Sequence, residues 1–414
     1  MVADKIDWQS GTWQSSHAGD ACTEIAICSD WAPIRNFSDI MLQEPLSVYG
    51  DLLPELRRAD VRIVNLECPL VDQGKPVDKS GTVLKGVSDH IAGLARVPFE
   101  IATLGNNHVF DYGIDGFVKT RDLLHQNHIK TLGAGLTIEE ASEPLVFASK
   151  GIGIGLINFS EGEDLTAAGK DPGVYGWGLD RVVQQVREVK KNLHAVIVIC
   201  HAGVEYIPYP PPYLAAAFQR IATAGADLII GHHPHVPQGV QICHQVPICY
   251  SLGNFVFFQY TDLQWRKLGY FVRAGLAEKG ISHIEIVPYE IFPDRLQLLK
   301  NRKFQWFMKK LKAISDPLDD VSQIQAAWHG FIRYYGMDGF RDEIAKIMQQ
   351  LDQEPAKGAA MFRNRLTTMQ HSQQLVDTMT RIINGSIDDA PQWACDTLAE
   401  WMTRRIADIP NPKS

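Results

Sequence analysis

The chain has 414 residues, 45% of them hydrophobic and 21% charged, with a formal net charge of −8. That composition suits a soluble protein of one large or two medium domains, and its acidic balance argues against nucleic acid as a partner. No apolar run approaches the roughly 20 residues of a membrane span, the amino terminus lacks the apolar core of a leader, and seven cysteines without a C-x-x-C pair give no disulfide framework or zinc ribbon, so no transmembrane segment and a cytoplasmic location are expected.

Residues 1–22 read as a polar tail. Residues 24–29 (EIAICS) form a first expected strand, followed at once by Asp30. A helix-like stretch leads to a second strand over 61–64, ending in Asn65-Leu66-Glu67. Residues 72–86 are a Gly/Lys/Asp-rich loop. A third strand over 99–104 ends in Gly105-Asn106-Asn107-His108, with Asp111 close behind and a helix over 114–127. Two runs, 144–149 and 152–159, joined by Lys150-Gly151, predict a hairpin. LDRVVQQVREVKKNL, from Leu179, is amphipathic at helical spacing. The apolar run 195–200 leads straight to His201. A helix over 213–223 precedes Leu228-Ile229-Ile230, after which His232, His233, Pro234 and His235 crowd together. Pro234 cannot continue a central strand, so these histidines sit on a loop at the strand's carboxyl end. A second hairpin (240–243 with 247–251) ends at Gly253-Asn254, and strands follow over 270–276 and 281–287. From residue 304 to 409 strand signals stop and helical spacing takes over.

Apolar run after apolar run thus ends in a possible metal ligand. In order these are Asp30, Glu67 (or Asn65), Asn107, His201, and His233 with His235. Imidazoles and carboxylates suit divalent Zn, Mn or Fe. If the strands share one parallel sheet, all these side chains emerge along one edge. There they could hold two ions about 3.5 Å apart, as two-metal hydrolases do.

NLECPL, NNHVFDYG, HAGVEY, GHHPHVPQG and YSLGNFVF together resemble the blocks of the CapA family. These are poly-γ-glutamate or capsule biosynthesis proteins within the calcineurin-like metallophosphatase superfamily. The resemblance implies an α/β fold, a four-layer α/β/β/α sandwich, over residues 23–300, with residues 301–414 a mostly helical C-terminal extension. It implies two divalent metal ions, with Asp30, Glu67, Asn107, His201, His233 and His235 as ligands and Glu67 bridging. His108 falls where the family pattern expects a general acid. Asn65, Asp111, Glu205, His232 and Asn254 fall where they could orient ligands or meet substrate. Two positions depart from the pattern. Ser29 replaces a glycine before the first aspartate, and Ala32 stands where many members carry a histidine ligand, within an altered WAPIR segment. The implied chemistry is hydrolysis of a phosphoester-type bond by a metal-bound hydroxide, on an anionic small-molecule or polymer substrate, in capsule or poly-γ-glutamate biosynthesis. An amide or γ-glutamyl bond is an alternative substrate. A non-catalytic assembly subunit, working with partner proteins of a biosynthesis complex, is an alternative role.

Two further stretches have more than one reading. Tyr209-Pro210-Pro211-Pro212 could line a cleft or be a stiff connector. KNRKFQWFMKKLK, from Lys300, reads as an amphipathic helix with solvated lysines in preference to a membrane-docking segment.

Overall fold

The structure is a computed structural model and describes residues 5–17 and 19–408. Residues 1–4 and Ala18 of the expected tail, and residues 409–414 of the helical extension, lie outside the described residues.

Two sheets stack face to face. The larger runs in the order Thr12–Gln14, Gly280–Ile291, Leu268–Ala277, Thr23–Trp31, Val61–Leu66, Ile101–Thr103, Lys130–Leu132, with Leu296–Leu298 added beside Gly280–Ile291. Its Thr23–Trp31, Val61–Leu66, Ile101–Thr103 and Lys130–Leu132 strands are parallel. The smaller runs Val240–Cys243, Val246–Cys249, Leu228–His232, Ala195–His201, Ile152–Ser160, Leu145–Ser149. Its four middle strands are parallel, and both expected hairpins close its edges.

The period of two along each strand explains the layering. Ile25, Ile27, Ile63 and Ile101 point toward the second sheet and join its Ile197, Ile199 and Ile230 in one core. Ala26, Cys28, Val64 and Ala102 point the other way and pack under Phe37, Met41, Phe117 and Leu124 of the Asn36–Gln43 and Gly113–Gln126 helices. Helices Leu179–Lys190 and Pro212–Thr223 cover the outside of the second sheet with Val182, Val186, Leu214 and Phe218. The result is the α/β/β/α sandwich.

Two expectations are corrected. The candidate ligands do not share one sheet edge: Asp30, Glu67 and Asn107 follow strands of the larger sheet, and His201, His233 and His235 follow strands of the smaller. The supposed polar tail contains a strand, Thr12–Gln14, paired antiparallel with Gly280–Ile291 and anchored by the buried Trp13.

Beyond residue 300 the chain is helical: Asn301–Ser315, Val321–Gln353 (broken at Gly336, φ 54°), Pro355–Thr367, Met369–Ile383 and Gln392–Thr403. These helices lie on the sandwich. Trp401 stacks on Trp265 with centroids 3.6 Å apart, and Trp328 and Phe331 cluster with Val204 and Ile207. The lysine-rich helix turns Phe307, Met308, Leu311 and Ile314 inward, while Lys300, Lys303, Lys310 and Lys312 pair with Asp51, Glu290, Glu400 and Asp316. Its apolar face is therefore spent inside the protein. Among the described residues no helix is long and apolar enough to cross a membrane. Tyr209 is buried edge-on to Trp393 and Pro212 opens the following helix, so the triple proline is a connector.

Candidate metal centre

The larger sheet supplies oxygen. A register shift between Ile27 and Asp30 re-aims the end of the first strand, leaving Asp30 fully buried. The Asn65 amide, one strand over, donates to Asp30 Oδ1 at 2.8 Å and lies 3.2 Å from His201 Nδ1. Glu67 anchors its backbone N–H on Trp31 O (3.0 Å) and is also fully buried. Neither of its carboxylate oxygens has a hydrogen-bond partner, nor does Asp30 Oδ2. The 105–108 turn is pinned by Asn158 Oδ1, which accepts from Gly105 N at 2.7 Å, and by Asn106 Oδ1, which accepts from His108 N and Val109 N.

The smaller sheet supplies nitrogen. His201 is the last residue of its strand. His233 and His235 flank Pro234 with φ values of +101° and +56°. Such angles are costly for residues with a Cβ and persist where surrounding structure imposes them. Gly231 lets this strand approach its neighbour: a Cβ there would sit 2.0 Å from Tyr250 O.

The two sets meet in the gap between the sheet edges. His201 Nε2 lies 3.3 Å from Glu67 Oε1, 3.2 Å from His233 Nδ1 and 3.0 Å from Asn107 Oδ1. On the other side of Glu67, His235 Nε2 is 3.7 Å from Glu67 Oε1, and His235 Nδ1 is 3.5 Å from Asp30 Oδ2. Bonds of about 2.1 Å to a tetrahedral ion put ligand atoms about 3.4 Å apart. Glu67–His201–His233 and Asp30–Glu67–His235 each offer three ligand atoms within 4.8 Å of one another, with Glu67 common to both. Buried carboxylate oxygens without donors are what such an ion would satisfy. The residues present therefore fit a pair of divalent cations.

The charges point the same way. Burial, then the neighbouring Asp30, pushes the Glu67 carboxyl well above the usual range. Burial opposes ionisation of Asp30 too, but His235 beside it and the other surrounding imidazoles outweigh it and hold Asp30 well below that range. Burial and His233 press His201 well below the ordinary imidazole value. His235 goes the other way: against burial, Glu67 and Asp30 raise it to about 10.

The remaining expected residues divide. Asn254 Oδ1 sits 2.9 Å from His235 Nδ1 and orients that ring. His232 is fully buried with Nδ1 3.3 Å from Ser29 Oγ and 3.9 Å from Asp30 Oδ1, so it lies against the cluster. Asp111 Oδ2 holds His108 Nδ1 at 2.7 Å. Glu205 is exposed and lines the adjoining cavity. Ala32 is buried with its N–H on Val256 O (2.8 Å) and brings no ligand, so the Asp30 half has one fewer.

Sequence reasoning passed over four contributors to this cavity of about 310 Å³. Lys79, from the Gly/Lys/Asp-rich loop, is buried and donates to Asp111 Oδ1 (2.8 Å) and Asn107 O (2.7 Å). Glu163 Oε2 accepts from Asn107 Nδ2 at 2.6 Å. Gln370 and His371 reach the same Glu163 from the C-terminal helices. Lys79 sits in a polar loop and the other three lie in polar stretches without spacing, so no local pattern marks them.

Residues 16–259 match the family model described as bacterial capsule synthesis protein PGA_cap. The chain belongs to this family. The PGA biosynthesis protein CapA of Bacillus subtilis is 29% identical over 252 residues, 59% of this chain and 65% of that protein, so the chain spans just under two thirds of that relative. The capsule biosynthesis protein CapA of Bacillus anthracis is 28% identical over 297 residues, covering 67% and 71%. Among solved structures, 5'-nucleotidase from Candida albicans overlaps in part, at 10% identity and a TM-score of 0.38 over 72% of this chain and 57% of that one.

Proposed function

We propose that this PGA_cap family member is a dinuclear-metal hydrolase acting on a phosphoester-type bond, in capsule or poly-γ-glutamate biosynthesis. The observation that carries the reading is Glu67: a buried carboxylate without a hydrogen-bond partner, shared between two three-residue ligand sets. Divalent cations held there would polarise the scissile group and lower the pKa of water. The protein's own residues do the rest. Asn65 and Asn254 orient Asp30 and His235, and Asn107 turns its amide oxygen toward His201. His108 lines the cavity with Nδ1 fixed by Asp111, leaving Nε2 to meet the leaving-group oxygen. Burial and Lys79 hold this imidazole below its usual value, with Asp111 opposing. An anionic substrate alongside would favour its protonated form, as a general acid requires. The Bacillus relatives' names support the pathway.

A direct test is metal content and hydrolysis of aryl phosphate mono- and diesters by the wild type and His233→Ala. The expected result is up to two ions and activity in the wild type, with an ion and the activity both lost in the variant. A wild-type protein that takes up no ion from excess Mn²⁺ overturns the reading. The missing ligand at Ala32 favours a second reading, an assembly subunit. A fully loaded protein that hydrolyses neither ester, nor an amide or γ-glutamyl substrate, would favour it.

A further inference from the structure

The helices beyond residue 300 lie outside the family match, yet one of them reaches the metal centre. Gln370, in the first turn of Met369–Ile383, is 2% exposed. Its side-chain amide donates to Glu163 Oε1 and lies 3.4 Å from His233 Nε2. His371 Nε2 stands 3.5 Å from the same carboxylate oxygen. The second oxygen of Glu163 accepts from Asn107 Nδ2 at 2.6 Å, while Asn107 Oδ1 faces His201 Nε2 at 3.0 Å. A carboxylate that claims the amide nitrogen leaves only the amide oxygen to point at the cluster.

The turn that carries Glu163 is strained on both sides of it. Gly162, Asp164 and Leu165 all have positive φ, the last two at 56° and 62° without being glycine. The turn is clasped from two sides. Ser80 N and Oγ donate to Asp164 Oδ1 and Oδ2 at 2.9 and 2.8 Å, and Asp164 N donates to Asn364 Oδ1 at 3.0 Å. Neighbouring structure that fixes an unfavourable backbone commonly serves a site.

We infer that Gln370, acting through Glu163, is a positioning residue of the metal centre: it fixes the carboxylate that holds the Asn107 amide nitrogen, so that the Asn107 oxygen faces the Glu67–His201–His233 set. The inference rests on the dinuclear reading above. The C-terminal helices are then part of the centre, and Gln370 touches neither the reacting atoms nor an ion.

The test is calorimetric titration of metal-stripped, full-length protein with Mn²⁺, alongside thermal melting. Gln370→Ala and Glu163→Ala should each weaken one of two sites by about 10–100-fold, the range for loss of a group that orients a ligand, and leave the other site unchanged. Asp377→Asn is the control: Asp377 sits on the same helix, accepts from Trp328 Nε1 at 2.7 Å, and does not meet Glu163. It should lower the melting temperature without changing either affinity. If Glu163→Ala fails to fold, Gln370→Ala decides alone. Wild-type affinity at both sites in Gln370→Ala overturns the inference, and so does an equal loss in Asp377→Asn, which would make the effect general loosening. A wild type that binds no Mn²⁺ is a different failure, since it removes the dinuclear reading and this inference with it.

Discussion

The two halves of the centre are built from the same residue types but supported from different places. The Glu67–His201–His233 half leans on Asn107, which leans on Glu163, which is reached by the C-terminal helices. The Asp30–Glu67–His235 half is buttressed by Asn65 and Asn254, both within the sandwich, and lacks a ligand at Ala32. Their charge states differ accordingly. His201, buried beside His233, is driven toward the neutral form, whereas His235, between two carboxylates, is driven toward the cation. Identical side chains at the ends of parallel strands thus acquire opposite electrostatics from neighbours one strand away.

The sharpest break of this comparison is at the residue the halves share. Glu67→Gln should abolish both ions at once, measured by elemental analysis, and with them activity. It should also erase the stabilisation that Mn²⁺ gives the wild type, about 2.7 kcal/mol at a hundredfold excess over the dissociation constant. Retention of one full ion by Glu67→Gln would show that the halves do not share this ligand. The next effect is catalytic. His108→Gln should keep metal content near wild type while kcat on an aryl phosphate falls about 10²–10⁴-fold. Unchanged kcat, or loss of ions, would remove His108 from the proton-transfer role.

The smallest effect sharpens the view of the C-terminal side. Glu161 is raised to about 8 by burial, with the Tyr213 hydrogen bond opposing and Glu163 reinforcing, and its Oε2 has no partner. The unfolded chain releases that proton near pH 4.3. Between about pH 4.3 and 8 the native state therefore holds a proton the unfolded state has lost, and stability falls as pH rises through this window. Glu161→Gln should melt like wild type at pH 4 and higher than wild type at pH 8, by roughly 1 °C for each kcal/mol recovered. Parallel melting curves across that range would show that Glu161 ionises freely.

The candidate ligand positions were legible because each follows a continuous apolar run, and such runs mark buried strands whatever the topology. Asp30, Glu67, Asn107, His201, His233 and His235 could be picked out that way, and the family blocks added a role for His108. The partition into two sheets was not legible, because the period of a strand does not say which neighbour it pairs with. The Thr12–Gln14 strand is three residues long, too short for its alternation to register, and only the burial of Trp13 gives it away. Leu296–Leu298 escaped for the same reason. Glu163 and Gln370 carry no local signal because their role exists only in the contact between them, across 207 positions of sequence.

That separation along the chain has a temporal side. Synthesis runs from the amino terminus, so Asp30, Glu67, Asn107, His201, His233 and His235 have all been made before Gln370 is added. At about 5–20 residues per second, the interval from His235 to Gln370 is roughly 7–27 s. The nascent sandwich thus passes through a stage in which every ligand exists and nothing yet bears on Glu163 from the far side. At that stage the candidate ligands are open to solvent on the side that Gln370 and His371 later cover.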